Sequence, residues 1–325
     1  MSASIVIPAY NAAAFITRAI ESALAQTQPP LEVIVVDDVS TDDTVAVVTR
    51  LAARHPELRL LTSERNGGPA AARNLGIGVA RGDWIAILDA DDAFEPGRLE
   101  ALTELGAQQH AAMVADDIVY YDAVAKQVAR RGLNGGAPFE IDLESFLLHN
   151  VGGRAMDWGL LKPVIRRAFL ESTGVRYRPD ARHGEDFLFV VDLLAAGAHY
   201  VCNPGYGGYL YTERHGSISR TGSGMSRTTV DYESQQRAAL ALAQDPRFAS
   251  QPRIAELLRQ RADGMARTAQ VYAKQQAVNA CMAKRQPLRL LGLALGDRDI
   301  AQMAARSCAR SLLGLLGVRR FRTLR

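Results

Sequence analysis

Short apolar runs alternate with stretches of helical composition along the first 120 residues. The runs cover residues 4–7, 33–36, 58–61, 84–88 and 113–119, are mostly β-branched, and end at turn or charged residues. Several read as strands that are buried on both faces. Helical patterns fill the intervals at residues 13–26, 42–55, 70–80 and 96–105, the first behind Asn11 as its predicted cap. The alternation predicts an α/β fold with a mainly parallel, doubly wound sheet.

The later part of the chain follows a looser pattern. Residues 185–196 look like a helix that stops at Gly197, and residues 199–203 and 208–211 look like late strands. Beyond about Gly224 the composition is rich in Ala, Leu, Gln and Arg at helical spacing, and strand signals vanish. We therefore predict an α/β domain over residues 1–222 and a helical C-terminal region over residues 223–325.

Charge and composition exclude several classes of protein. The 325 residues are 48% hydrophobic and 22% charged, so the chain can bury a large core. Its 38 Lys and Arg nearly balance 35 Asp and Glu, which argues against nucleic acid as the main partner. The three cysteines are odd in number and widely spaced, which suggests neither a disulfide framework nor a zinc site.

The N-terminal ten residues lack a basic signal-peptide region, and no apolar stretch approaches 18 residues. We expect a cytoplasmic protein, either soluble or peripheral at the inner face of the cytoplasmic membrane. The C-terminal region has leucines among arginines, at residues 288–295 and 312–316, and no acidic residue follows Asp299. This pattern suits docking on a membrane surface or a partner helix, and equally packing back onto the α/β domain.

Polar clusters follow three of the predicted strands. They are the sequence PAYN at residues 8–11, the pair Asp37-Asp38, and the sequence DADD at residues 89–92. The carboxyl ends of parallel strands share one edge of a sheet, so these clusters outline a single site.

The carboxylates of these clusters would repel one another without a cation or hydrogen-bond donors. Oxygen ligands on a pocket rim suit Mg²⁺ or Mn²⁺, which complete their coordination with water and phosphate oxygens. Acidic residues after strands are also common as turn formers and helix caps. For Asp89 and Asp91, the order strand, D-x-D, helix favours a metal or diphosphate site.

Three segments resemble glycosyltransferase family 2, in order and at customary spacing over about the first 220 residues. They are SIVIPAYNAAAFITRAIESALAQTQPPLEVIVVDDVSTDDT, NGGPAAARNLGIGVARGDWIAILDADD and GEDFLFVVDLL. The resemblance implies the GT-A fold and a metal-dependent, inverting transfer of a sugar from a nucleotide-sugar donor.

The resemblance also implies which residues bind the donor. Asp38 would accept a hydrogen bond from a uracil-type base, and Arg73 would lie near the base or phosphates. Asp91 would bind the metal directly, and Asp89 would contact the donor or the metal. The donor-binding set is Pro8, Ala9, Tyr10, Asp38, Arg73, Asp89, Ala90 and Asp91. Two alternatives stay open. Tyr10 could be a core residue, and Arg73 could be a solvated residue on a helix.

An inverting transfer needs a base on the acceptor side of the anomeric carbon. Glu185 and Asp186 match the family's E-D pair. The match implies that Asp186 is that base and that Glu185 lies on the acceptor side. The alternative is that both acids only interact favourably with the dipole at the start of the helix. Trp158 and Asp116 are further candidates for contact with the acceptor. The alternatives are that Trp158 is a structural residue and that Asp116 caps a loop. His215 is either another metal ligand or part of an exposed loop.

The leading hypothesis is transfer of a hexosyl unit, glucosyl first, from a UDP-sugar to a hydroxyl of a growing, lipid-linked glycan. The segments MVADDIVYYD, GEDFLFVVDLLAAGAHY and GYLYTERHGSISR resemble succinoglycan-type exopolysaccharide glucosyltransferases most. One alternative is a sugar-nucleotide pyrophosphorylase, although an enzyme of that class would require a Gly-rich, basic loop after the first strand. The other is a donor-binding scaffold of a polysaccharide assembly complex that has lost turnover.

Overall fold

The computed structural model describes residues 1–123, 125–151, 156–181, 183–213 and 231–315. The chain divides into two compact units, the first comprising Met1–Arg214 with Ser234–Gly264 and the second comprising His215–Glu233 with Met265–Arg325. The predicted domain boundary, between residues 222 and 223, lies outside the described residues.

The first unit is built on two sheets. Their strands are β1 (Ala3–Ala9), β2 (Glu32–Asp37), β3 (Leu58–Thr62), β4 (Trp84–Ile87), β5 (Ala93–Phe94), β6 (Met113–Asp116), β7 (Ile118–Asp122), β8 (Gln127–Arg131), β9 (Phe139–Glu140), β10 (Val164–Arg166), β11 (Tyr200–Asn203) and β12 (Tyr209–Glu213). The main sheet has eight strands in the order β3-β2-β1-β4-β10-β6-β11-β9, and the smaller sheet has the order β5-β12-β7-β8.

Helices cover both faces of the main sheet, as the doubly wound prediction requires. The helices of the chain are α1 (Ile16–Leu24), α2 (Thr44–Ala52), α3 (Gly68–Val79), α4 (Arg98–Gln108), α5 (Leu143–Leu148), α6 (Arg167–Thr173), α7 (Glu185–Ala195), α8 (Tyr232–Leu242), α9 (Pro252–Ala283), α10 (Pro287–Gly296) and α11 (Arg298–Leu315). Side chains alternate along β1, so Val6 packs into the core beneath α3 while Ile5 and Ile7 pack into the core beneath α1.

The sheet is mixed rather than fully parallel. Strands β3, β2, β1 and β4 are parallel, with Ile5 beside Val33 on one side and Ala86 on the other. Strand β10 is antiparallel to both β4 and β6. Its three residues are too few to give a periodic sequence signal, so it was not predicted. Because β10 is reversed, its first residues lie at the edge where the parallel strands end.

Two sequence expectations need correction. The apolar run at residues 113–119 is divided between the two sheets, since β6 ends at Asp116 and β7 begins at Ile118. The first helix begins at Ile16 and not directly behind Asn11. Asn11 instead adopts a positive φ of 50°, and its side-chain oxygen accepts hydrogen bonds from the backbone of Thr41 and Asp42. It therefore joins the loops after β1 and β2.

The second unit is helical in its described part. Its core is formed by Val278, Cys281, Leu290, Ile300 and Ala304. Lys274 lies 2.9 Å from the carboxylate of Asp297 and 2.7 Å from that of Asp299. Among the described helices of the whole chain, none is long and apolar enough to cross a membrane.

Candidate active site

Charged side chains converge at the carboxyl edge of the main sheet. Asp89 follows β4, Lys162 precedes the reversed strand β10, and Glu185 and Asp186 form the first turn of α7. Arg73 reaches the same point from α3. Three carboxylates and two cations therefore meet in one cluster, which we call the charge cluster and define as Arg73, Asp89, Lys162, Glu185 and Asp186.

Arg73 lies at the centre of the charge cluster. Its guanidinium donates to Asp89 at 2.8 Å and to Glu185 at 2.9 Å, and it lies 3.4 Å from Asp186. The residue is only 3% exposed, so the alternative of a solvated helix residue is wrong. Burial opposes its charge, but the neighbouring Asp186 and Asp89 outweigh this effect and raise the pKa of Arg73 well above its usual range.

Lys162 makes the second bridge in the charge cluster. Its ammonium donates to Asp186 Oδ2 at 2.6 Å and lies 3.0 Å from Asp89 Oδ2. Burial lowers the pKa of Lys162, but Asp186 and Asp89 raise it further than burial lowers it. Burial raises the pKa of Asp89, but Lys162 and Arg73 lower it by more. The pKa of Asp89 therefore lies well below its usual range. Arg73, Lys162 and Asp89 are therefore charged near neutral pH.

Asp186 is the second residue of α7, and both of its oxygens lie beside a cation. The residue before the helix, Gly184, is its N-cap and has a φ of 78°, in the left-handed region that favours glycine. Oδ2 of Asp186 accepts from the Lys162 ammonium, while Oδ1 is buried without a hydrogen bond and lies 3.4 Å from the Arg73 guanidinium. The role of Asp186 as the base stays a prediction.

An aromatic wall closes one side of the charge cluster. Tyr177 stacks on Phe189 with ring centroids 3.9 Å apart, and the Arg73 guanidinium lies 5.1 Å from the Tyr177 ring centre. Asn74, next to Arg73 on α3, fixes the Tyr177 backbone through bonds of 2.8 and 2.9 Å. A cavity of about 10 Å³ beside Lys162 and Tyr177 has room for roughly one water molecule. This cavity is too small for a sugar ring.

Asp38 supports the start of α3. Its two carboxylate oxygens accept from the backbone N–H groups of Gly67 and Gly68 at 2.9 and 2.8 Å. Gly68 has a φ of 81°, which a residue with a Cβ adopts only with strain. Each carboxylate oxygen keeps a further lone pair, so a base contact by Asp38 is chemically compatible with this arrangement and stays a prediction.

The remaining predicted donor residues lie at the ends of β1 and β4. Pro8 and Ala9 are the last residues of β1, and Tyr10 follows them with 54% of its surface exposed. The alternative that Tyr10 belongs to the core is therefore wrong, and its ring is available for stacking. Ala90 is buried between the two acidic residues of the D-x-D.

The D-x-D segment suits Mg²⁺ or Mn²⁺ on electrostatic grounds. Burial raises the pKa of Asp92 well above its usual range, and the negative charges of Asp91 and Asp89 raise it further. A divalent cation relieves such crowding of negative charge. Since both oxygens of Asp89 contact Arg73 or Lys162, coordination by Asp89 would compete with two ion pairs. Direct coordination of a metal by Asp91 stays a prediction.

No group of three His, Cys, Asp or Glu side chains suited to a metal occurs in the part of the chain that the structure describes. A metal that uses one or two carboxylates and phosphate oxygens needs no such group. The third predicted ligand, His215, lies outside the described residues.

Two of the acceptor candidates are engaged in packing. Trp158 is 8% exposed, and its ring stacks on His149 with centroids 3.6 Å apart. Asp116 is buried, and its carboxylate accepts from the Arg98 guanidinium and from the Gly208 backbone N–H. The acceptor roles of both residues stay predictions, and Glu185 lies in the charge cluster.

Sequence reasoning missed Lys162 and Tyr177. Lys162 stands inside the apolar segment LLKPVI at residues 160–165. A lone charge within an apolar run is seldom buried without a partner, and that signal was available. Tyr177 lies in an irregular segment that gives no comparable signal.

Known proteins share both the sequence and the fold of this chain. The family model described as "Glycosyl transferase family 2" matches residues 4–160. The chain is 41% identical to succinoglycan biosynthesis protein ExoO of Rhizobium meliloti over 218 residues, which are 66% of this chain and 62% of that protein. It is 38% identical to ExoU of the same organism over 251 residues, which are 76% of this chain and 70% of that protein.

Solved structures agree on the fold. The crystal structure of S. aureus TarS 1-349 in complex with UDP-GlcNAc aligns with a TM-score of 0.65 at 22% identity, covering 94% of this chain and 90% of that one. A second crystal structure of S. aureus TarS 1-349 aligns with a TM-score of 0.62 at 20% identity. The expected GT-A fold is thereby confirmed. Because the sequence match covers most of the chain and the fold agrees with it, the chain belongs to glycosyltransferase family 2 and is similar to proteins of succinoglycan biosynthesis.

Proposed function

We propose that the protein transfers a hexosyl unit, with glucose as the first candidate, from a UDP-sugar to a hydroxyl of a growing, lipid-linked exopolysaccharide or cell-surface glycan. The observation that carries the proposal is the charge cluster, in which the D-x-D residue Asp89 and Oδ2 of Asp186 contact a shared cation, Lys162. A donor site and an acceptor base so close together suit direct transfer between two bound molecules.

The donor proposal rests on similarity and on chemistry. Two relatives are succinoglycan biosynthesis proteins, and the structural neighbour TarS was crystallised in complex with UDP-GlcNAc and with UDP. In this chain, the exposed ring of Tyr10 offers a stacking face for the base, and Asp38 offers acceptors for a uracil N–H.

The reaction follows from the placement of Asp186. Its carboxylate takes the proton of the acceptor hydroxyl while the acceptor oxygen bonds to the anomeric carbon from the face opposite the diphosphate. The bond from that carbon to the phosphate oxygen breaks, UDP leaves with the electron pair, and the anomeric centre is inverted. A divalent ion held by Asp91 would neutralise charge on the diphosphate.

A screen of UDP-sugars for UDP release, with and without a glycan acceptor, tests this proposal. We expect acceptor-stimulated release that a chelator abolishes and that Mg²⁺ or Mn²⁺ restores. Asp186→Asn should lower the rate about 10²–10⁴-fold, the usual contribution of a general base. Asp192→Asn is the matched control, because Asp192 lies on the same helix but pairs with Arg178 and Arg247.

The outcomes separate the competing hypotheses. Formation of UDP-sugar from UTP and a sugar phosphate would indicate a pyrophosphorylase. Donor binding without turnover of any UDP-sugar would indicate a scaffold. Metal-independent transfer, or an Asp186→Asn variant as fast as wild type, would refute the mechanism.

We also propose that the second unit docks on an anionic membrane surface, which would place the enzyme at the inner face of the cytoplasmic membrane beside a lipid-linked acceptor. Leu288, Leu291 and Leu295 lie on one face of α10 and are exposed, Leu288 by 84% and Leu295 by 81%. Exposed basic residues flank them at Lys284, Arg285, Arg289 and Arg298. Exposed leucines beside cations are the combination that binds an anionic lipid surface.

A further inference from the structure

Lys162 donates the short hydrogen bond that holds the Asp186 carboxylate. Its ammonium bonds to Oδ2 of Asp186 at 2.6 Å, while Oδ1 is buried and lies 3.4 Å from the Arg73 guanidinium without a hydrogen bond. A carboxylate in solution can rotate and exchange its two oxygens, but this one is held at Oδ2 by a charge-assisted hydrogen bond. The orientation of the Asp186 carboxylate therefore depends chiefly on Lys162.

The Lys162 backbone is itself fixed from behind. Its carbonyl oxygen accepts a hydrogen bond from the buried Arg98 guanidinium, which also pairs with Asp116 at 2.8 Å. The next residues form β10, where Val164 pairs with Ala86 of β4. Lys162 is thus tied to the strand that leads into the D-x-D.

We infer that Lys162 is a positioning residue, which fixes the orientation of the Asp186 carboxylate and connects the base to the donor-side residue Asp89. This inference rests on the proposed function, in which Asp186 is the base. Arg73 makes a parallel connection, since it bonds to Asp89 and Glu185, but it lies 3.4 Å from Asp186. The direct hydrogen bond to the base comes from Lys162.

The test compares Lys162→Met, Lys162→Arg, Asp186→Asn and the double variant Lys162→Met with Asp186→Asn. We expect Lys162→Met to lower kcat about 100-fold, the scale for a misplaced catalytic group, with the Kd for UDP changed less than about threefold. Lys162→Arg should recover at least about tenfold of that loss, since it restores the cation. In the Asp186→Asn background, Lys162→Met should cause little further loss, because a residue that acts through Asp186 has nothing left to position.

Arg59→Met is the matched control. It also removes one of two cations from a buried carboxylate, Glu32, but at the opposite edge of the sheet. Its kcat should equal that of wild type even if its Tm falls. Lys162→Gln, checked by thermal unfolding, replaces Lys162→Met if the latter does not fold.

Three results would overturn the inference: an unchanged kcat in Lys162→Met, a weakening of UDP binding equal to the loss in rate, or an equal loss in the Asp186→Asn background. Failure of the proposed function looks different, because wild type itself would then transfer no sugar.

Discussion

At the scale of single residues, contacts decide which acidic side chains are available for chemistry. Asp38 and Asp116 are both buried beside the candidate site, and both bind backbone N–H groups of neighbouring loops. Asp186 retains a buried oxygen without a hydrogen-bond partner. Residue type and position after a strand do not distinguish these cases, because the distinction lies in which donors approach from elsewhere in the chain.

Tyr10→Ala should weaken donor binding without affecting folding. Stacking of a base on an aromatic ring contributes about 1–3 kcal/mol, so we expect the KM for the UDP-sugar to rise roughly tenfold or more. Because the ring is largely exposed, the Tm should stay that of wild type. Steady-state kinetics with varied donor measure the effect.

Tyr10→Phe is the control, since it keeps the stacking face and should bind the donor as wild type does. An unchanged KM in Tyr10→Ala would remove Tyr10 from the donor site.

At the scale of elements, α3 connects the core to the charge cluster. Gly76 faces β1 and β2 so closely that an added Cβ would lie 2.3 Å from Val6 Cγ1 and 3.2 Å from Val36 Cγ2. Arg73 lies one turn earlier on the same helix. The close approach of helix and sheet at Gly76 therefore sets how far Arg73 reaches over the sheet edge.

Gly76→Ala should destabilise the protein by about 1–3 kcal/mol, the range for overpacking a tight core. It should also lower the transfer rate, because α3 must move away from the sheet and carry Arg73 with it. Gly78→Ala is the matched control on the same helix, since an added Cβ there meets nothing within 4 Å.

Gly78→Ala should gain up to about 1 kcal/mol from helix propensity and leave the rate unchanged. Urea unfolding together with initial rates measures both variants. Equal stability of the two would show that α3 does not rest on the sheet at Gly76.

Strand β10 is an element that could not be predicted from the sequence. The patterns of the early strands and helices were strong enough to predict most of them, and the alternation gave the fold class. Residues 164–166 carry too short a signal to predict a strand, and no local pattern states that it pairs antiparallel to β4. Lys162 was missed for that reason.

At the scale of the whole molecule, the membrane proposal predicts binding to anionic vesicles. The protein should sediment with vesicles of phosphatidylglycerol, bind phosphatidylcholine less, and lose affinity as salt is raised. Replacing Leu288, Leu291 and Leu295 by Ser should weaken binding at least about tenfold, since burying each leucine contributes on the order of 1.5–3 kcal/mol.

Val271→Ser controls for the loss of an exposed apolar residue elsewhere in the second unit, on α9, and should bind as wild type does. Wild-type binding by the triple variant would refute docking through α10. Transfer to a water-soluble acceptor should be equal in all of these variants, because α10 lies outside the charge cluster.

The order of the early strands and helices, the D-x-D after a strand, the E-D pair at the start of a helix and the family could all be predicted from the sequence. These features are local, since periodicity and spacing are properties of neighbouring residues. Which charges meet depends on how the chain folds. The tertiary structure joined Asp89 to Asp186 through Lys162 and Arg73, used Asp116 to hold Arg98, and placed Tyr177 against the cluster. Such partnerships depend on strand order and direction, which the local sequence of each residue does not contain.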